Sequence, residues 1–298
     1  MLGWSANLMW KKEVLGLVVL FSVGGCAAVP NEPAGALSSY TNLAPSDGLL
    51  THARVAINKD AVLAASTVRI IPTTFSNAAA KVELSDAQRN LLAAVVDRSV
   101  CVGLSDRFHV VAPGEAADLS VHSAITYIGL TDARIAAASR AMAIGASVAE
   151  GVYLPNNQIP IPTPRIPIGM GGLAVEAEAL DQSGHQGAAM VWARGADAFT
   201  TKPKVSVEGD AYDMAKAFGD DFSRLLVTGA SPFKQLPHLP SANAIKTMFG
   251  AAPKEAACDT FGRGPGVVGL VGDAIGLPPE WTDKGANAGT TPAVRGQQ

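Results

Sequence analysis

Glu176 and Glu178 stand two apart in the stretch Leu173-Ala174-Val175-Glu176-Ala177-Glu178-Ala179-Leu180. On an extended chain this spacing puts both carboxylates on one face, with Cα atoms about 6.6 Å apart at ~3.3 Å per residue. Paired carboxylates do acid–base work when their surroundings split their pKa values. Near in sequence there is only His185, and no nucleophile completes a mechanism, so the pair reads as the solvated face of an amphipathic strand. The five histidines, His52, His109, His122, His185 and His238, lack the i, i+4 spacing of a ligand pair. His109 and His122 can meet only across neighbouring strands, and two side chains do not make a zinc site. Gly264-Pro265-Gly266-Val267-Val268-Gly269 matches G-x-G-x-x-G by letter. A dinucleotide fingerprint needs a preceding strand, a following helix and a distant acid, whereas here a loop precedes and Leu277-Pro278-Pro279 soon follows. The residues therefore predict no catalytic site, no metal and no cofactor.

Elements that would position such groups can be read from the pattern. Thr67-Val68-Arg69-Ile70-Ile71, closed by Pro72, has strand character. Ser85-Asp86-Ala87-Gln88 is a capping box, and Leu91, Leu92, Val95, Val96 and Val102 keep helical spacing behind it to about Leu104. Phe108-His109-Val110-Val111 predicts a short strand and Asp118 to Ile128 a longer, half-buried one. Leu173–Leu180 and Ala188-Ala189-Met190-Val191-Trp192-Ala193 flank the turn chemistry of Asp181-Gln182-Ser183-Gly184, which makes a hairpin. Ala211, Ala215, Phe218, Phe222, Leu225 and Leu226 mark a second amphipathic helix. The expected fold is α/β of the α+β type: a mixed, mostly antiparallel sheet with two main helices packed on one face.

Residues 132–170 read as an insertion in two parts, an Ala-rich helix and a Pro-rich stretch. Ala137, Ala141, Gly145 and Ala149 recur every four residues, the spacing that lets helices approach closely; they serve either packing on the domain or an association surface. Ile159-Pro160-Ile161-Pro162-Thr163-Pro164-Arg165-Ile166-Pro167 must run extended, because proline removes donors and disfavours helix before it. From about Gly229 the pattern dissolves into Pro, Gly and Ala, giving a C-terminal extension, 229–298, expected to be partly disordered.

Composition bounds the class. Of 298 residues, 48% are hydrophobic and only 16% charged, with a net charge of -3 and no basic stripe, which argues against a nucleic-acid groove. Ala and Gly supply much of the apolar count, so the core must rely on close backbone approach. Of the three cysteines, Cys101 and Cys258 either join in an oxidising compartment or stay separate buried thiols.

Cys26 has a different setting. Lys11-Lys12, the apolar run Val14–Phe21 and then Ser22-Val23-Gly24-Gly25-Cys26 are the parts of a secretory signal. The run is shorter than the ~20 residues that span a bilayer. Val23-Gly24-Gly25-Cys26 resembles the lipobox of bacterial lipoproteins, an aliphatic residue, two small ones and the thiol that receives a diacylglyceryl group. This resemblance implies a signal peptide over 1–25, cleavage before Cys26 and acylation (palmitate or its like) there. Residues 26–36, mostly small and twice interrupted by proline, read as a tether leading to a single domain over 37–228. Ala27 in place of Asp after the cysteine implies the outer membrane, periplasm-facing, over the inner.

Three stretches carry a wider resemblance: Gly35-Ala36-Leu37-Ser38-Ser39-Tyr40-Thr41-Asn42-Leu43, Ala117-Asp118-Leu119, and Glu176-Ala177-Glu178-Ala179-Leu180-Asp181-Gln182-Ser183-Gly184. Over residues 35–227 the chain resembles the bacterial lipoproteins of domain of unknown function 3313. This implies an envelope lipoprotein with a compact α/β domain and no activity to carry over. The expected role is a structural or accessory component of the bacterial envelope, its partners being the membrane, further copies of itself or envelope proteins. The alternatives are a carrier of a lipid or other apolar ligand, for which an apolar pocket beneath the sheet would speak, and an envelope hydrolase using Glu176 and Glu178.

Overall fold

The computed structural model describes residues 26–153, 164–234 and 239–283. The expected signal segment 1–25, most of the proline-rich stretch and His238 lie outside the described residues.

One eight-stranded sheet organises the chain. Its strands are β1 (Ala44–Pro45), β2 (His52–Ile57), β3 (Thr67–Ile70), β4 (Thr74–Phe75), β5 (His109–Val110), β6 (Leu119–Gly129), β7 (Gly172–Asp181) and β8 (Gln186–Gly195). They lie in the order β1-β2-β8-β7-β6-β3-β5, with β4 also paired to β6. The β1/β2, β2/β8, β8/β7 and β7/β6 pairs are antiparallel; β3 runs parallel to β5 and β6, and β4 runs parallel to β6. The mixed, mostly antiparallel α+β fold is the one the sequence predicts.

Two long helices cover one face. The first, α3 (Asp86–Leu104), follows α1 (Lys59–Ala64) and α2 (Asn77–Ala80); the second is α5 (Gly209–Thr228). The capping box forms as expected: Gln88 N–H donates to Ser85 Oγ at 3.2 Å and Ser85 N–H to Gln88 Oε1 at 2.9 Å. Gly229 ends α5 at φ 65°, a conformation that suits a residue without Cβ. Between helices and sheet, Leu173, Val175, Ala177, Met190 and Trp192 meet Leu91, Val95, Phe218 and Phe222. Trp192 packs edge-on to Phe218 at 5.7 Å between centroids, and its ring N–H donates to Asp221 at 2.9 Å. Small residues bring α3 and α5 together: a Cβ on Gly103 would overlap Ser223, and one on Gly219 would overlap Ser99. That is the close approach implied by the Ala- and Gly-rich composition.

The insertion contains α4 (Ala133–Tyr153), started by Asp132, whose carboxylate accepts from the N–H groups of Arg134 and Ile135. Among its described side chains, Ala136 and Ser139 are buried. Ala137 is half-buried and Ala141 and Gly145 are exposed, and a Cβ on Gly145 would touch nothing; the side chain of Ala149 lies outside the described residues. Of the stripe, Ala141 and Gly145 thus do not pack on the domain.

Residues 239–283 fold more than their composition suggests. They form α6 (Ala242–Met248), a 3-10 turn (Ala256–Phe261), α7 (Gly266–Ala274) and α8 (Pro279–Thr282). A disulfide between Cys101 and Cys258, with Cα atoms 5.7 Å apart, fixes this extension to α3. At its end the buried Asp283 carboxylate pairs with Arg98 and accepts from Tyr212 O–H at 2.7 Å. Lys204, also buried, pairs with Asp213 on α5 and with Asp273 on α7. Val267, Val268, Val271 and Ile275 remain exposed along α7. No helix among the described residues is long and apolar enough to cross a membrane.

Candidate functional site

The sheet face away from the helices is covered by the chain that follows Cys26. A loose tether is the sequence expectation for this segment, and the finding is different. Cys26 forms an antiparallel bridge with Asp197, and Ala27 N–H donates to the Ala196 carbonyl at 2.9 Å. Val29 lies against Gly172, and the Ala27 carbonyl lies so close to Gly195 that a Cβ there would overlap it. Farther on, Leu37 packs on Ala189 and Val191, joined by Tyr40 and Leu43. Residues 26–43 form a strap across the sheet.

Glu176 and Glu178 hold the strap down. Glu176 accepts from Ala34 N–H at Oε1 (2.6 Å), and at Oε2 from Ala36 N–H (2.8 Å) and Tyr40 O–H (2.6 Å). Glu178 Oε2 accepts from Ser38 N–H (2.9 Å), Ser38 Oγ–H (2.6 Å) and the Gln186 side-chain amide (2.8 Å). The same Gln186 amide donates to the Ser39 carbonyl at 3.1 Å. Gly35, at φ 85°, turns the backbone so that the N–H groups on either side of it converge on one carboxylate. Burial, with the hydrogen bond to Glu176, pushes the Tyr40 hydroxyl up to about 12, so it remains a donor.

This corrects the expectation of a solvated face. Glu176 is 1% exposed and Glu178 3%. A buried carboxylate is tolerable when hydrogen-bond donors replace its water, and the strap supplies them. No substrate-sized cleft opens on the pair among the described residues: the hollow beside Glu176, lined by Ala36, Pro72 and His122 among others, is about 50 Å³, space for a few water molecules. His185 does not join the carboxylates; it sits in the exposed β7–β8 turn with Asp181 and Ser183. His109 and His122 do not meet either, because β3 lies between their strands. His109 instead contacts Glu255 at 2.8 Å, while the register sets His122 opposite Glu178. Among the described residues no cluster of His, Cys, Asp and Glu could hold a metal ion.

Sequence reasoning misses the partners Ser38, Tyr40 and Gln186. A signal does exist: the stretches 35–43 and 176–184, which carry the family resemblance separately, are the two halves of this one contact. Cys26 is an exposed, free thiol at the start of the strap.

Fold and site together define a mixed-sheet α+β protein with an N-terminal strap clasped on two buried carboxylates. The chain belongs to the family described as Protein of unknown function (DUF3313), whose model matches residues 32–222, from the strap into α5. Among solved structures it is similar to the PelC dodecamer from Paraburkholderia phytofirmans, at 10% identity and a TM-score of 0.30 over 57% of this chain and 96% of that one. A single-substitution form of the same dodecamer gives 10% identity and 0.28, over 57% and 95%. At such scores the likeness assigns neither fold nor assembly to this chain. No curated protein matches it.

Proposed function

We propose that the protein is a lipid-anchored component of the bacterial envelope, held on the periplasmic side of the outer membrane by acyl chains on Cys26 and acting as a structural or accessory element. The observation that carries this reading is the Val23-Gly24-Gly25-Cys26 box behind a basic and apolar leader, together with the free, exposed Cys26 thiol. Several chains on one residue give stable attachment, at ~0.8 kcal/mol per buried CH₂. The clasp on Glu176 and Glu178 then serves the anchor, because it turns the chain next to the lipid into part of the domain. Both carboxylates face the strap and not a cleft, so the hydrolase alternative gains nothing from their burial. Mass spectrometry of the N-terminal peptide from envelope-purified protein tests the reading. A peptide beginning at acylated Cys26 is expected; a bare Cys26 thiol, or a peptide running uncut through residues 23–28, would overturn it.

A second reading, a carrier of a small apolar ligand, is favoured by one observation. The space beneath the sheet is filled by core side chains, but a groove of about 220 Å³ lies on the outer side of α3 and α5, under the C-terminal extension. Val102, Ile245, Met248 and Leu270 line it, with Lys216 and Asp220 at its charged side. Native mass spectrometry should then find a small molecule on the wild-type protein and none on an Ile245→Trp variant. Equal spectra from the two proteins would count against a carrier.

A further inference from the structure

We propose that the strand-end face around Cys26 is a lipid-contacting surface that seats the domain on the bilayer in one orientation. This rests on the lipid-anchor reading above and adds to it which part of the protein touches the membrane.

The register fixes what lies at that end. Gly129 at the end of β6 pairs with Gly172 at the start of β7, and Gly172 pairs with Gly195 at the end of β8. The loops leaving these three positions therefore sit side by side, and each carries an exposed large apolar side chain. Leu130 follows β6, Ile168 precedes β7 and is 65% exposed, and Phe199 follows β8 and is 71% exposed. The loops are tied together: Arg165 N–H donates to the Ala198 carbonyl at 2.8 Å, and Asp132 N–H donates to the Gly169 carbonyl at 2.8 Å. Phe199 is held in place by its own N–H bond to Asp197 Oδ1, 2.8 Å long.

Cys26 is bridged to that same Asp197, so the acyl attachment point is paired with the residue that fixes the Phe199 backbone. Slack is missing as well. A free ten-residue linker would let the domain wander by roughly 16–19 Å, the span of a flexible chain of that length. Here the chain is pinned at Ala27 and again at Ala34. Acyl chains leaving Cys26 thus bring Leu130, Ile168 and Phe199 to the headgroup level, where aromatic and aliphatic side chains sit favourably. Exposed Arg134 and Lys202 flank the same end and match the anionic headgroups of a bilayer surface. A water-facing end would gain nothing from three adjacent apolar tips; a bilayer beside an acylated cysteine accounts for all of them.

The test uses the lipidated full-length mature protein in vesicles of phosphatidylethanolamine and phosphatidylglycerol. Phe199→Cys, Ile168→Cys and Ser183→Cys variants each receive a nitroxide label. Ser183 lies in the β7–β8 turn, a ten-residue strand away, or about 30 Å at ~3.3 Å per residue. Labels at 199 and 168 should collide several-fold more with oxygen relative to a water-soluble nickel chelate than the label at 183. Equal ratios at the three sites on acylated protein would overturn the proposed face while leaving the anchor standing. Two labels on the Phe199→Cys protein, one of them on Cys26, would remove the anchor and this proposal with it.

Discussion

The two buried glutamates can be told apart by the same chemical change. Glu176 uses both oxygens, Oε1 for Ala34 N–H and Oε2 for Ala36 N–H and Tyr40 O–H. Glu178 receives all three of its donors at Oε2. Glutamine keeps one acceptor oxygen and replaces the other with an NH₂ donor. In Glu178→Gln the amide oxygen can take the place of Oε2, so three bonds survive in weaker, uncharged form. In Glu176→Gln no orientation works, since the NH₂ must point at either Ala34 N–H or the Ala36/Tyr40 pair. At about 1.5–3 kcal/mol for each charge-assisted bond, and a further 1–3 kcal/mol for a buried donor left unpaired, Glu176→Gln should destabilise the docked strap by about 3–5 kcal/mol. Glu178→Gln keeps all three bonds in uncharged form, leaves no buried donor facing another donor, and should cost less. Urea unfolding of the mature protein reads the difference as a shift in midpoint, and proteolysis between residues 26 and 43 reads strap release directly. Equal midpoints for the two variants, or a larger loss from Glu178→Gln, would refute the assignment of the bonds.

Other consequences follow from the same structure. Burial pushes the Asp97 carboxyl up to about 7, against the opposing hydrogen bonds from Thr73. Its folded value lies above its unfolded one, so its contribution to stability is full below about pH 4 and is lost as pH rises through about 7, at most about 4 kcal/mol over that window. Glu208, driven up to about 7 by burial and by its neighbour Glu280, acts in the same direction; thermal unfolding between about pH 4 and pH 8 should show falling stability, and Asp97→Asn should flatten that slope. Reducing the Cys101–Cys258 bond, which spans 157 residues, should remove about 2–5 kcal/mol and expose residues 239–283 to protease before the sheet. Gly195→Ala should loosen residues 26–29 at a cost of about 1–3 kcal/mol, because the new methyl overlaps the Ala27 carbonyl; spectra of the β6–β7 pair should stay unchanged.

Local pattern makes much of this fold legible. The capping box at Ser85 and the spacing of Leu91, Leu92, Val95 and Val96 locate α3, and the turn at Asp181 locates the β7–β8 hairpin. What escapes depends on partners far away in sequence. The Glu176/Glu178 face looks solvated because two charges alternate with apolar residues, yet the chain that covers it lies 140 residues earlier. Strand β2 escapes because Ala53-Arg54-Val55-Ala56-Ile57 alternates only weakly, and its place between β1 and β8 becomes visible only once β8 is beside it. Residues 239–283 carry too much Pro and Gly for periodicity to appear; a disulfide and the buried Arg98–Asp283 pair hold them instead. His109 and His122 look like possible neighbours although β3 separates them, an order of strands that no spacing along the chain encodes.

The claim on which the rest turns is that residues 34–38 belong to the folded domain through Glu176 and Glu178. Amide hydrogen exchange of the mature protein measures this at Ala34, Ala36 and Ser38. Exchange slowed to the level of the β7 amides is the predicted result, and exchange at the rate of an unstructured chain would contradict it.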